Sequence, residues 1–148
     1  TNIIPETAFV EGTMRTLSDG ARATMRAEVE KVCEGIAAAY GCRVQVDLTP
    51  GYPVTANDPD EAERVLELAS TVLGPDNAAP LPEPIMGGED FSYVLQRVPG
   101  AFALLGGCPP DVDPAEAPAN HSNRVRHHED AMAHGVAMHA AHALSALR

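Results

Sequence analysis

The chain has 148 residues, 45% of them hydrophobic and 21% charged, with no tryptophan and only 4% aromatic residues. That is the composition of a globular protein of one domain or two small ones, with a core resting on Val, Leu, Ile, Ala and Met. A formal net charge of −11 argues against nucleic acid and anionic membrane surfaces as partners. No run approaches the roughly 18 apolar residues needed to span a bilayer, and no basic-then-apolar leader opens the chain. The start at Thr1 rather than Met suggests an excised or incomplete segment. Cys33, Cys42 and Cys108 form no C-x-x-C pair. They read as idle or buried thiols, and a cytoplasmic location is expected.

In chain order, Asn2 to Pro5 predict an extended lead-in, because Pro5 disfavours helix at Ile4. Residues 7–17 alternate apolar and polar positions and predict a half-buried strand. Ser18 is a suitable N-cap for a helix to about Tyr40, with Met25, Val29, Val32, Cys33, Ile36 and Tyr40 on one stripe. Gly41 then occupies the position where a helix-ending glycine belongs. Val44, Val46 and Leu48 predict a second strand, closed by Thr49-Pro50-Gly51. Strand, helix, strand is half of a split βαβ sandwich, too little to stand alone, so missing chain or a partner is expected to complete the sheet.

A change in composition over Tyr52 to Asp58 marks a crossing between domains. Asp58-Pro59-Asp60-Glu61 supplies an N-cap, a first-turn proline and a capping-box glutamate. The helix they open is predicted to reach Leu73, with Ala62, Val65, Leu66, Ala69, Val72 and Leu73 inward, and to stop at Gly74-Pro75. After a Pro-rich loop and the Gly87-Gly88 turn, a short helix is expected around Phe91, Val94 and Leu95. Ala101 to Leu105 reads as a short buried strand. A last helix from near Glu129 is predicted to turn Met132, Val136, Ala140, Ala143 and Leu147 inward.

Among residues that carry chemistry, His121 lies in a polar turn before this helix, and a histidine so placed can offer one ring nitrogen to a metal. An exposed or capping histidine is the commoner fate of such a residue. His127, His128, His134, His139 and His142 show no H-E-x-x-H spacing and read as surface or packing residues. Glu89-Asp90 after two glycines is either a capped turn or a loop beside a ligand. Arg15, on the polar side of the first predicted strand, could grip a substrate carboxylate, or simply be solvated; Asn2 is equally ambiguous. Walker, dinucleotide-binding and G-x-S-x-G motifs are absent.

Taken together and in order, Asn2-Ile3-Ile4-Pro5, Gly12-Thr13-Met14-Arg15-Thr16-Leu17, Gly88-Glu89-Asp90-Phe91-Ser92, Val98-Pro99-Gly100 and Asn120-His121-Ser122-Asn123 resemble the M20 metallopeptidases. The branch they resemble acts on N-acyl amino acids, hippurate and auxin–amino acid conjugates. The resemblance covers nearly all of this chain but only the C-terminal portion of a typical member. It implies an α/β (α+β) fold: residues 1–53 as the second half of a ferredoxin-like lid or dimerisation domain, and 54–148 as the C-terminal part of a zinc-peptidase-like catalytic domain. It also implies two divalent ions, zinc or manganese, a homodimer through the lid, and amide hydrolysis with a glutamate general base lying upstream. On this resemblance His121 matches the last metal ligand. Arg15 and Asn2 match lid positions that face the substrate, and Glu89 matches the Glu-Asp-Phe loop near the active site. Asn123 and Val125 depart from the family, which often has proline and an aromatic residue there. The expectation is a segment of a metal-dependent amidohydrolase, inactive alone. The alternatives are a non-catalytic dimerisation or interaction module with a vestigial metal site, and a small-molecule regulatory domain.

Overall fold

The computed structural model describes residues 2–147. Four α-helices appear among them: α1 (Asp19–Ala39), α2 (Pro59–Leu73), α3 (Ser92–Leu95) and α4 (Ala131–Ala146), with one 3-10 turn at Pro75–Asn77. Helix boundaries follow the local signals. The Ser18 hydroxyl accepts from Ala21 N at 3.1 Å and opens α1. The Asp58 carboxylate accepts from Asp60 N and Glu61 N, both at 3.1 Å, and opens α2 with Pro59 behind it. Gly41 and Gly74 follow α1 and α2 at φ 67° and 96°, where a side chain would be strained.

Two glycines, one just past α1 and one within it, therefore give opposite expectations. Gly41→Ala should cost about 1 kcal/mol, because alanine resists positive φ. Gly35→Ala, mid-helix with open space around the added Cβ, should stabilise the chain by about 0.5–1 kcal/mol. Thermal unfolding of the two variants checks both signs.

The expected α/β architecture is overturned, for the described residues contain no β-strand. Residues 7–17, 44–48 and 101–105, each predicted as a strand, run without regular secondary structure, so no half-ferredoxin sandwich forms. Alternation creates one apolar face, but a strand exists only when a neighbour takes its backbone N–H and C=O groups. No such neighbour is present among the described residues. At Phe102 a side chain does that work instead. The Asn57 carboxamide accepts from Phe102 N at 2.8 Å and donates to Phe102 O at 3.2 Å. Asp58 N donates to Gly100 O at 2.9 Å beside it. The start of α2 is thereby tied to the 100–105 segment.

The chain divides into two compact units, Thr1–Thr55 with Pro84–Tyr93, and Ala56–Glu83 with Val94–Arg148. In the first, Arg22 of α1 donates to the Tyr52 carbonyl, and the Tyr52 and Tyr93 rings meet edge to face at 6.0 Å. The predicted α1 stripe is largely uncovered: Val32, Ile36 and Tyr40 are 52%, 58% and 82% exposed. In the second unit α2 packs against α4. The face of α4 that is shielded is Ala131, Gly135, Met138, His142 and Ser145, not the predicted one. Met132, Val136 and Leu147 point to solvent. Gly135 lets the helix approach Leu105, whose Cδ2 would lie 3.3 Å from an added Cβ.

Only Ser92, Pro109 and Ala131 are buried among the described residues. The chain exposes 12403 Å². A folded monomer of 15.6 kDa would expose about 7,200 Å² by the usual surface scaling. No helix is long and apolar enough to cross a membrane among the described residues.

Candidate functional site

His121 sits in a turn that begins Ala119–Asn120 and ends at Val125. Ser122 N donates to Ala119 O at 2.8 Å, Val125 N to Ser122 O at 3.2 Å, and Arg124 N to the Ser122 hydroxyl at 3.1 Å. These bonds satisfy the backbone on both sides of His121 and leave its imidazole exposed, without a hydrogen bond among the described residues. A ring so placed is free to ligate.

The turn lies within an irregular excursion, residues 108–127, between the 101–105 segment and α4. Two contacts close its base. The Arg126 guanidinium grips Asp111 with both forks, Nη1–Oδ2 at 2.9 Å and Nη2–Oδ1 at 3.2 Å. His128 N donates to Gly107 O at 2.9 Å. The Arg126 hydrogen bond holds the Asp111 carboxyl below its usual 3.8, more than desolvation raises it, and Asp111 in turn raises the Arg126 guanidinium. Inside the excursion, Asp113 Oδ1 accepts from Ala115 N at 2.9 Å and Cys108 Sγ lies 3.6 Å from the Val112 carbonyl.

The Gly87-Gly88-Glu89 loop belongs to the first unit. The Glu89 carbonyl accepts from Ser92 N at 3.3 Å and from the Ser92 hydroxyl at 2.5 Å. Ser92 is wholly buried, so its hydroxyl must be satisfied locally, and Glu89 O does so. Gly88 comes close to Tyr52, whose Cδ2 would sit 3.5 Å from an added Cβ. The Glu89 side chain itself is half-buried.

Asn2 and Arg15 are exposed and lie in stretches without regular structure. No hydrogen bond or ion pair joins the side chains of Asn2, Arg15 and Glu89 to one another. Asn2, Arg15 and Glu89 fall in the first unit and His121 in the second. The other histidines are arranged differently. His128 Nε2 lies 3.6 Å from Asp130, and His142 Nε2 lies 3.8 Å from Glu61 across α2 and α4, its Nδ1 buried without a partner. A recess of about 440 Å³ beside the start of α2, lined by Asn57, Asp58, Leu95, Arg97 and Pro99 among others, holds none of the predicted site residues.

Among the described residues, no group of three or more His, Cys, Asp or Glu side chains is placed to hold a metal ion. One exposed imidazole is not a cage, since catalytic metals take three protein ligands and keep one position open. These residues do not by themselves fit a catalytic metal, and no chemical step is derived through one. Sequence reasoning missed Ser92, Asn57 and the Asp111–Arg126 pair. Only the last two lacked any local signal; Ser92 lies within the quoted Gly-Glu-Asp-Phe-Ser run.

Residues 5–145 match the profile of peptidase family M20/M25/M40, and the chain belongs to that family. It is 31% identical over 146 residues to thermostable carboxypeptidase 2 of Saccharolobus solfataricus, covering 94% of this chain and 34% of that protein. It is 33% identical over 151 residues to IAA-amino acid hydrolase ILR1-like 2 of Arabidopsis thaliana, covering 99% of this chain and 33% of that protein. It is 38% identical over 107 residues to N-acetyldiaminopimelate deacetylase of Streptococcus suis, covering 71% of this chain and 28% of that protein. The chain thus spans about a third of the length of these curated relatives. No solved structure matches it significantly.

Proposed function

We propose that this chain forms the C-terminal portion of a metal-dependent amidohydrolase that cleaves the amide of N-acyl amino acids or related peptide-like substrates. The observation that carries the reading is the family match over residues 5–145, with relatives named for cleaving or deacylating amino acid amides. His121 contributes one ligand to a site for two zinc or manganese ions, and the other ligands and the general base come from residues outside this chain. Arg15 and Asn2 meet the substrate carboxylate, and Glu89 borders the site. Residues 1–53 contribute to a homodimer, and 54–148 to the metal-binding domain.

Two further observations support an assembly larger than this chain. The surface is about 5,000 Å² greater than a self-sufficient monomer of this mass would show. Helix α4 also leaves Met132, Val136 and Leu144 in solvent and carries no charged residue, and helices with large apolar side chains on more than one side are found inside larger cores.

The test measures release of free amino acid from N-acetyl amino acids with zinc or manganese added. The chain alone is expected to show no turnover above the blank. Supplied with the remaining two-thirds of a family polypeptide, it should be active, and His121→Ala should lower kcat/KM at least about 100-fold. Chelator-sensitive turnover by the isolated chain, or full activity of the His121→Ala assembly, would refute the proposal.

A further inference from the structure

We propose that Asp111 and Arg126 are positioning residues, a latch that closes the base of the 108–127 excursion and thereby holds the turn that carries His121 in place. The positioning role rests on the reading of His121 as a ligand given above, whereas the latch is tested without any activity.

The excursion has no helix or strand of its own, so its shape depends on whatever ties its ends. Its internal bonds are short-range: Pro109 to Val112 at its start and, beyond Asp111, Asp113 to Ala115 and Glu116, Ala119 to Ser122, and Ser122 to Arg124 and Val125. They shape each turn but cannot orient one turn against another. The Asp111–Arg126 pair spans fifteen positions and brackets the turns from Asp113 to Val125, with His121 between its members. Two positions before Asp111, Pro109 is one of the few buried residues among those described. Exposed ion pairs usually contribute little, the exception being two-forked arginine–carboxylate geometry, which fixes direction as well as distance. Both groups here are more than half exposed, with side-chain exposures of 63% and 61%. The pair's value therefore lies in orientation rather than in holding the fold together.

The test uses this chain as it stands. In Asp111→Ala, limited trypsin cleavage after Arg124 should rise about tenfold, while cleavage after Arg64 in α2 stays unchanged. Relaxation of the His121 ring carbon–proton pairs should report greater ring and loop motion in the same variant. The double exchange Asp111→Arg with Arg126→Asp should restore both readings at least in part. Unchanged cleavage after Arg124 in Asp111→Ala would overturn the latch. So would an equal rise after Arg64, which marks a general loss of structure. Unchanged motion of the His121 ring would overturn the positioning role. Failure of the hydrolase reading would instead appear as absent turnover in the assembled enzyme with these results intact.

Discussion

Asn57→Ala is expected to destabilise the second unit by about 1–3 kcal/mol, since it removes two hydrogen bonds of about 0.5–1.5 kcal/mol each. Those bonds run to both backbone groups of Phe102, at 2.8 Å and 3.2 Å. They stand in for the strand neighbour that residues 101–105 lack. Asn57→Asp sharpens the test. The carboxylate still accepts from Phe102 N, but it now faces the Phe102 carbonyl with no donor, so Asp should recover at most half of the loss. Urea unfolding of the three proteins at pH 7 would decide. Equal stability of Asn57→Asp and the parent would show that the donor half of the carboxamide contributes nothing.

The double substitution Val136→Glu with Leu144→Glu should act in two opposite ways. Both side chains are solvent-exposed in this chain, at 69% and 62%, and charged replacements at such positions change stability by no more than about 0.5 kcal/mol. In the assembled hydrolase proposed above, the same face of α4 would be covered by more protein, and two buried carboxylates would be very costly. Recovered amide hydrolysis should fall at least about 100-fold while the thermal unfolding of the isolated chain hardly moves. A fully active assembly carrying both glutamates would show that this face remains in solvent.

Helix ends were legible because capping is a local event. Ser18 and Asp58 bond to N–H groups two or three residues ahead, and Gly41 and Gly74 supply positive φ at the stops, so each signal and its effect lie within one turn. Strands were not legible in the same sense. The alternation in residues 7–17 and the apolar run in 101–105 record a preference for one buried face, whereas a strand requires a second stretch of backbone in register. Five short motifs in register, the Gly-Glu-Asp-Phe-Ser and Asn-His-Ser-Asn runs among them, carried the family, and the match over residues 5–145 agrees. Neither run discloses that Ser92 is the buried donor to Glu89 O or that Asp111 reaches Arg126.

Sequence alone therefore determined where helices begin and end, because capping acts within a few positions, and which family the chain belongs to, because short motifs in order along the chain carry it. Tertiary structure decided which face of α4 is shielded. Its apolar residues surround the whole helix, so periodicity offered no choice between Met132, Val136 and Leu147 on one side and Ala131, Gly135 and Met138 on another. Close approach to α2 and Leu105 selects the side with Ala131 and Gly135, where backbones can come near. The same holds for the loop bearing His121, whose shape depends on a carboxylate and a guanidinium fifteen residues apart meeting in space.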